Sequence, residues 1–243
     1  MRTYRADLHI HSCLSPCGRP SMTPKAIVAA ALDRGVDLIA VTDHNTARMT
    51  PIMAEVARGH GLAYLYGIEV QTREDVHLLA YFDDEETCLG FSEEIYEQLA
   101  DTRDDPYGLG EQTEVDADGT IVRIEPKFLV QGIALTFVEA VHRIEALGGL
   151  AVPAHIDRDF FSVTSQLGRL PDGLAFSLIE VRGRAIPDMC GAAAILRTSD
   201  AHDLPQIGER ITRISVDAVT VAELRNAAAG VDGRSMTAEC VGR

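Results

Sequence analysis

Short, nearly continuous apolar runs alternate with helical patterns along most of this chain, and this alternation constrains the fold more than any other feature. Eight runs are candidate strands: Tyr4–Ile10, Val36–Val41, Ala63–Val70, Val76–Phe82, Leu150–Val152, Phe176–Val181, Ala194–Thr198 and Ile211–Val216. Strands that are apolar on both faces are typically buried under helices. The alternation therefore predicts an α/β fold with a mostly parallel sheet, either a barrel or a doubly wound sheet.

Helical patterns with start and stop signals lie between these runs. They cover Thr23–Arg34, Pro51–Gly59, Leu135–Ala146 and Thr220–Ala229. The first has Pro24 in its opening turn and Gly35 directly after it, which is the usual order of these two residues around a helix. A single α/β barrel domain would account for a chain of 243 residues.

One acidic segment interrupts this rhythm after the fourth predicted strand. Asp83–Glu125 contains 15 acidic and two basic residues, and it has a helical pattern only at Glu93–Leu99. Long connections inside compact domains are often lids or binding loops, so we predict an insertion or lid at about residues 83–131. Two interpretations remain open: the segment disfavours the binding of long polyanions, or it is a solvent-exposed segment with no role in substrate selection.

Charge and cysteine content exclude several classes of protein. The net charge of −15 argues against non-specific binding to nucleic acid or to an anionic membrane, so nucleic acid is a disfavoured partner. The five cysteines are scattered and odd in number, which fits a reduced cytoplasmic protein better than a disulfide framework. The sequence has neither a signal-peptide pattern nor an apolar run of membrane-spanning length, and we expect a soluble protein.

Histidine and acidic residues gather at the ends of the apolar runs. They are His9, His11, His44, Glu69, His77, His155, Asp200 and His202. In an α/β barrel the carboxyl ends of the strands meet on one face, which is where active sites lie. Imidazoles and carboxylates together suit Zn²⁺, Mn²⁺ or Fe²⁺. There are too many candidate ligands for one ion, so we predict two or three divalent ions, an arrangement suited to phosphate-ester hydrolysis.

These residues occur in motifs that resemble the PHP (polymerase and histidinol phosphatase) domain family of metal-dependent phosphoesterases. The matching motifs are Asp7-Leu8-His9-Ile10-His11-Ser12, Thr42-Asp43-His44, Gly67-Ile68-Glu69, His77, Pro153-Ala154-His155 and Ser199-Asp200-Ala201-His202. They follow the order that the family shows. The resemblance implies one PHP-type domain over residues 1–243, a distorted (β/α)7 TIM-like barrel with three metals at the strand ends.

The resemblance also implies a set of ligands for each ion. The first ion would take His9, His11, Glu69 and Asp200; the second His44, His202 and a loop residue; the third Glu69, His77 and His155. Asp7 and Asp43 would orient these ligands without binding a metal themselves.

The loop after the first motif departs from the family pattern. The family often has an aspartate ligand there, whereas this chain has no acidic or histidine residue between His11 and Asp33. Cys17 is the nearest substitute, because a thiolate binds zinc or iron. The alternative is that Cys17 is a packing residue and that the second metal is weakly held or absent.

The resemblance implies hydrolysis of a phosphate ester on a small molecule, such as a nucleotide, sugar or amino-alcohol phosphate, by hydroxide that the metals generate. Asp200, His202 and Arg158 are the candidate catalytic residues, and Arg158, Arg19 and Arg182 are the candidate phosphate-binding residues. The alternatives are a histidinol-phosphate phosphatase and a non-catalytic or regulatory metal-binding module. A nuclease is the least favoured function, and the role of Glu180, in the pocket or structural, stays open.

Overall fold

The computed structural model describes residues 1–183 and 192–240. Its strands are β1 Arg2–Ile10, β2 Leu38–Val41, β3 Ala63–Tyr64, β4 Tyr66–Gln71, β5 His77–Phe82, β6 Thr113–Val115, β7 Ile121–Ile124, β8 Leu150–Pro153, β9 Leu178–Glu180, β10 Ala194–Leu196, β11 Arg210–Val216 and β12 Ser235–Cys240. Its α-helices are α1 Pro24–Asp33, α2 Thr50–Gly59, α3 Glu85–Glu97, α4 Phe137–Ala146, α5 Val163–Leu167 and α6 Val221–Ala229.

The predicted α/β class is confirmed, but a closed TIM-like barrel is not found in the described part of the chain. The strands form four small open sheets, in the orders β12-β11-β1-β2-β3, β4-β5-β8, β9-β10 and β6-β7. The run from Ala63 to Val70, predicted as one strand, divides at Leu65 into β3 and β4, which belong to different sheets. Single bridges, Ile10 to Ala201 and His44 to Glu69, connect the sheets where the His and acidic residues lie.

The pairing of the strands is mixed, which corrects the prediction of a mostly parallel sheet. β1 is parallel to β2 but antiparallel to β11, and β5 is antiparallel to both β4 and β8. The antiparallel β4–β5 pair places Gln71 opposite His77. A histidine at the start of one strand therefore lies beside the end of the preceding strand, on the same side of the molecule as the other strand ends.

Both faces of the central strands are buried, and this explains why their sequences are apolar throughout. In β5, Leu78 and Ala80 pack into one core cluster, whereas the intervening Leu79 and Tyr81 pack into another. This alternation is the two-residue period of a strand with apolar neighbours on each side. The Tyr81 hydroxyl, buried with its ring, donates a hydrogen bond of 2.7 Å to the Leu8 carbonyl oxygen.

The acidic segment predicted as an insertion begins with a helix that is part of the core. α3 starts at Glu85, eight residues before the predicted helix, because the Asp84 side chain accepts a hydrogen bond from the Thr87 amide and caps it. Its apolar face is buried, with the Phe91 ring 5.4 Å from that of Phe82. The chain then forms the β6–β7 hairpin, and Leu99 before it, Val115 within it and Leu129 after it are also buried in the core. No helix in the described residues is long and apolar enough to cross a bilayer.

We predict opposite effects on stability for two glycine-to-alanine substitutions. A Cβ at Gly149 would lie 2.7 Å from the Phe82 ring and 2.9 Å from Ile144, so Gly149→Ala should lower the free energy of unfolding by about 1–3 kcal/mol. At Gly90, inside α3, a Cβ would meet nothing within 4 Å, and Gly90→Ala should raise the free energy of unfolding by up to about 1 kcal/mol. Urea unfolding of both variants measures this difference, and equal midpoints would contradict the packing described.

Candidate metal centre

The eight His and acidic side chains predicted as ligands lie together at one end of the strands. His9, His11, His44, Glu69, His77, His155 and Asp200 are buried, and His202 is partly exposed. They come from six different strands or from the segments that follow them. Burying this many ionisable groups in one place is costly unless they are paired or hold a metal, so the cluster itself indicates a functional site.

The Glu69 carboxylate is at the middle of this cluster, with five imidazoles within 3.3 Å. Its Oε1 atom lies 3.3 Å from His9 Nε2, 2.9 Å from His77 Nδ1 and 3.2 Å from His155 Nε2, and its Oε2 atom lies 3.3 Å from His11 Nε2 and 3.0 Å from His44 Nδ1. Only a shared cation or shared protons can satisfy so many nitrogens around two oxygens.

The distances between donor atoms fit a metal ion. The Nε2 atoms of His9 and His11 are 3.2 Å apart, and they lie 3.5 and 3.3 Å from Asp200 Oδ1. Two nitrogens that bind a tetrahedral ion at about 2.0–2.1 Å are roughly 3.3–3.4 Å from each other. These donors therefore have the spacing of the corners of one coordination shell.

Several of these buried donors are close to one another without being aligned as hydrogen bonds. His44 Nδ1, Glu69 Oε2, His155 Nδ1 and both ring nitrogens of His77 have no hydrogen-bond partner. An unsatisfied buried polar atom costs about 1–3 kcal/mol. Metal coordination would satisfy such atoms, so the residues present fit a divalent metal.

Two side chains behind the cluster orient the first two histidines. Glu180 accepts a hydrogen bond of 3.0 Å from His9 Nδ1, and it also accepts one of 2.8 Å from the His155 amide. Ser15 Oγ lies 3.1 Å from His11 Nδ1 and donates to Asp43. With Nδ1 occupied in this way, the Nε2 atom of each ring faces the cluster, as a metal ligand requires. The open role of Glu180 becomes that of a positioning residue.

The two aspartates predicted to orient ligands hold the segments that carry those ligands. Asp7 accepts hydrogen bonds of 2.9 and 2.8 Å from the amides of Ser199 and Gly208, and so holds the chain directly before Asp200. Asp43 accepts from the amide and hydroxyl of Ser12 as well as from Ser15. Burial raises the pKa of Asp7 to about 6, although these hydrogen bonds oppose the change.

Backbone strain is concentrated around the same cluster. His155, Asp200 and Asn45 have φ values of 28°, 51° and 51°, and Phe161, whose ring stacks on His77 with 4.8 Å between centroids, has a φ of 58°. Non-glycine residues rarely adopt this conformation, and when they do they often lie in functional sites. The ends of these strands are therefore held in place by the surrounding packing.

Charge interactions inside the cluster shift the pKa values in opposite directions. Burial opposes ionisation of Glu69 and Asp200, but the surrounding imidazoles hold the pKa of each carboxyl well below its usual range. Burial would lower the pKa of His11, but hydrogen bonds to Asp200 and Glu69 raise it to about 9. Burial lowers the pKa of His202 to about 4, assisted by His11. The cluster thus carries paired charges at neutral pH, with His202 uncharged.

A second group of donor atoms includes the cysteine of the first loop. The ligand atoms of His11, Cys17, His44 and His202 all lie within 4.8 Å of one another. Two further groups, His9 with His11 and Glu69, and His44 with Glu69 and His77, meet the same distance. Cys17 is therefore in the cluster, and Cys13, Cys17 and Cys88 are all free of disulfide bonds.

Two of the three predicted arginines reach the cluster. Arg158 and Arg182 donate hydrogen bonds of 3.1 and 2.9 Å to Asp200 Oδ2, the oxygen that faces away from His9 and His11. The Arg19 side chain is 72% exposed, and its Nε atom lies 3.9 Å from Asp203 Oδ2. The structure therefore does not bring Arg19 together with Arg158 and Arg182.

A cavity of about 250 Å³ opens onto the cluster. Its polar side is formed by His44, Glu69, His77, Asp200, His202, Cys17 and Arg158. Its apolar side is formed by Tyr107, Leu109, Val130 and Phe161, three of which come from residues 83–131. Sequence reasoning missed this apolar wall, because single apolar residues in an irregular acidic segment give no periodic signal.

Comparison with known proteins supports the resemblance stated above. The PHP domain model matches residues 7–115. The chain is 31% identical over 104 residues to the uncharacterized protein MJ1587 of Methanocaldococcus jannaschii, and the match covers 39% of this chain and 60% of that protein. It is 36% identical over 78 residues to DNA polymerase III PolC-type of Staphylococcus aureus, a match covering 32% of this chain and 5% of the polymerase. The chain thus spans less than two thirds of either relative.

A similar fold occurs in Endonuclease Q. The crystal structure of this lesion-specific endonuclease from Pyrococcus furiosus has a TM-score of 0.71 and 22% identity, and the match covers 97% of this chain and 58% of that one. A complex of Endonuclease Q with a 27-mer duplex substrate that has an abasic lesion at the active site also has a TM-score of 0.71 and 22% identity, covering 96% of this chain and 58% of that one.

These comparisons overturn two sequence-based predictions. A small phosphorylated molecule was predicted as the substrate and nucleic acid was disfavoured, whereas the similar proteins are a DNA polymerase and an endonuclease with duplex DNA. The error came from the net charge of −15, which describes the whole surface and not the cavity. The PHP match still supports an enzyme that acts on ester bonds through metals.

We predict that metal uptake releases protons at pH 7. The pKa values of His9, well above its usual range, and His11, at about 9, mean that both rings are protonated in the metal-free protein, and a metal at Nε2 must displace those protons. Binding should therefore tighten as the pH rises towards 9. Calorimetric titration with Zn²⁺ in buffers of different ionisation enthalpy measures the release, and an enthalpy independent of the buffer would contradict it.

Proposed function

We propose that the chain is a metal-dependent phosphodiesterase that cleaves nucleic acid at this cluster. The observation that carries the proposal is the convergence of buried, unaligned imidazole and carboxylate donors on a single cavity with arginines beside it. The PHP match and the fold shared with Endonuclease Q support a nucleic-acid substrate. The proposed site lies within one domain that includes residues 83–131 as part of the cavity wall.

Two or three ions of Zn²⁺, Mn²⁺ or Fe²⁺ would be held by the ligands inferred from the motifs. His9, His11, Glu69 and Asp200 form the proposed first set, and Glu69 is shared with His77 and His155 in another. Glu69 suits a bridging role because its two oxygens face different histidines. Such ions supply positive charge for phosphate oxygens and increase the acidity of water.

The arginines are positioned to hold the phosphate of the substrate. Arg158 and Arg182 share one oxygen of Asp200, and both side chains are about one third exposed. A guanidinium in this position can keep one N–H on the carboxylate and offer others to a phosphate oxygen. We assign both arginines to phosphate binding, and Arg158, which lines the cavity, also to stabilising the charge that develops during cleavage.

His202 can act at the solvent side of the same site. Its Nδ1 atom donates a hydrogen bond of 2.8 Å to the backbone oxygen of Asp200, so in the neutral ring the Nε2 atom carries the lone pair and can bind a metal. The pKa of about 4, which burial causes first and His11 second, keeps the ring neutral at pH 7. We propose that Asp200 and His202 both bind metal, as the motifs imply, and that they take part in catalysis as metal ligands.

The cavity has the size and the surface for one nucleotide at a time. Its volume is about 250 Å³, and it is lined by the aromatic side chains of Tyr107 and of Phe161, which stacks on His77. Stacking on an aromatic side chain is worth about 1–3 kcal/mol per base and depends little on sequence. The acidic surface outside the cavity does not attract a long polyanion, so binding of nucleic acid must rely on the ions, the arginines and the aromatic residues of the cavity.

Cleavage of oligonucleotides tests the proposal. Metal-loaded protein should convert end-labelled DNA or RNA, either single-stranded or duplex with an abasic site, into shorter fragments in the presence of Mn²⁺, Zn²⁺ or Fe²⁺. Asp200→Asn should abolish the activity, because it removes the negative charge of a proposed ligand of the first ion, which is also the partner of both arginines. Failure to cleave any of these substrates would refute the proposal, and equal cleavage by Asp200→Asn would show that a contaminant is responsible.

The arginine assignment makes a separate prediction. Arg158→Ala and Arg182→Ala should each lower kcat/KM on an oligonucleotide on the order of 100-fold, the usual cost of a lost charge-stabilising donor. Arg169→Ala is the matched control, because Arg169 pairs with Asp172 on the exposed surface. The metal content of each variant should be measured. If Arg158→Ala and Arg182→Ala each bind the full number of metal ions and each keep full activity, the assignment is wrong.

A further inference from the structure

We infer that Cys17 is a thiolate ligand in the position formed with His44 and His202, and that this makes the position selective for Zn²⁺ or Fe²⁺ over Mn²⁺. The inference deepens the proposed function and rests on its metal centre, but not on the identity of the substrate. It concerns the position where the sequence lacks an acidic ligand.

The composition of this donor group differs from that of the other two. The atoms of Cys17, His11, His44 and His202 lie within 4.8 Å of one another, and this set contains no carboxylate. Both other groups contain Glu69. His44 Nδ1, which is buried and has no hydrogen-bond partner, lies 3.0 Å from Glu69 Oε2, so His44 stands between this group and the one that contains Glu69.

The loop that carries Cys17 is fixed on both sides of the cysteine. On one side, the hydroxyls of Ser12 and Ser15 each donate a hydrogen bond of 2.6 Å to Asp43. On the other side, the Arg19 amide donates a bond of 2.8 Å to the carbonyl oxygen of His202, which ties the loop directly to another member of the group. The sulfur therefore has a defined position, as a metal ligand needs.

Gly18 allows this loop to close. Its amide donates to the Ser15 carbonyl oxygen at 2.8 Å, and a Cβ at this position would collide with the carbonyl oxygen of Ser12. Only glycine lets the two backbone segments approach so closely. The sequence Cys17-Gly18 thus combines a soft ligand with the residue that the turn requires.

The chemistry of the donor set predicts which ion it selects. Thiolate and imidazole ligands suit Zn²⁺ and iron, whereas Mn²⁺ is better suited by carboxylate, carbonyl and water ligands. Because His11 Nε2 is assigned to the first ion and its Nδ1 atom lies against Ser15 Oγ, the ligands here are Cys17, His44 and His202. Three such protein ligands with a fourth position open are typical of catalytic Zn²⁺ sites. The other two groups, which include Glu69, lack this preference for a soft ion.

Optical titration of metal-free protein with Co²⁺ tests the inference directly. A thiolate bound to Co²⁺ gives a charge-transfer band in the near ultraviolet, which imidazole and carboxylate ligands do not give. The wild-type protein should show this band, and Cys17→Ser should lose it while keeping the visible bands of Co²⁺ at the other positions. Cys13→Ser is the matched control: Cys13 is in the same loop, but its sulfur faces the Thr113 carbonyl oxygen.

A second variant separates a lost ligand from a disturbed loop. Cys17→Asp should bind the same number of ions as the wild type, without the band, and the ratio of its Mn²⁺ to Zn²⁺ affinity should rise at least about tenfold. Persistence of the band in Cys17→Ser, or Co²⁺ binding by the wild type without the band, would overturn the inference. A protein that shows the band but cleaves no nucleic acid would support the inference and refute the proposed function.

Discussion

The burial of the Glu69 carboxylate is the constraint on which the rest of the structure depends. Removing a carboxylate from water costs several kcal/mol, and only nearby positive charge or hydrogen bonds can offset that cost. Here five imidazoles approach its two oxygens, and they come from β1, the segment after β2, the start of β5 and the segment after β8. Sheets that share no continuous ladder are therefore joined through this one side chain.

The same requirement explains the features around the cluster. Glu180 holds His9, and Asp43 holds His11 through Ser15, because an imidazole that binds metal through Nε2 needs a partner at Nδ1. The left-handed backbone at His155 and Asp200 turns each side chain inwards just after a buried strand. Strain of this kind persists only where the surroundings impose it, so the packing of the two core clusters stabilises the site.

The sequence was sufficient to predict which His and acidic residues gather in one cluster, because a polar residue at the end of an apolar run has few structural roles. It was not sufficient for the sheets, because near-continuous apolar runs look the same in parallel and antiparallel pairs. The reversal at β5, which brings His77 to the same side as Glu69, was therefore missed. The strand β12 was missed because its sequence is polar. Glu180 was noticed without a clear role, because its partner His9 is distant in sequence. The substrate was mispredicted from net charge, which does not describe the cavity.

The central claim is that this cluster is a centre for several metal ions. Anomalous diffraction at the zinc or iron absorption edge, from crystals of protein purified without chelators, tests it most directly. We expect two or three anomalous peaks, with one bounded by His9, His11, Glu69 and Asp200 and another beside Cys17. A map without peaks there, in which the imidazoles and carboxylates make well-aligned hydrogen bonds to one another, would contradict it.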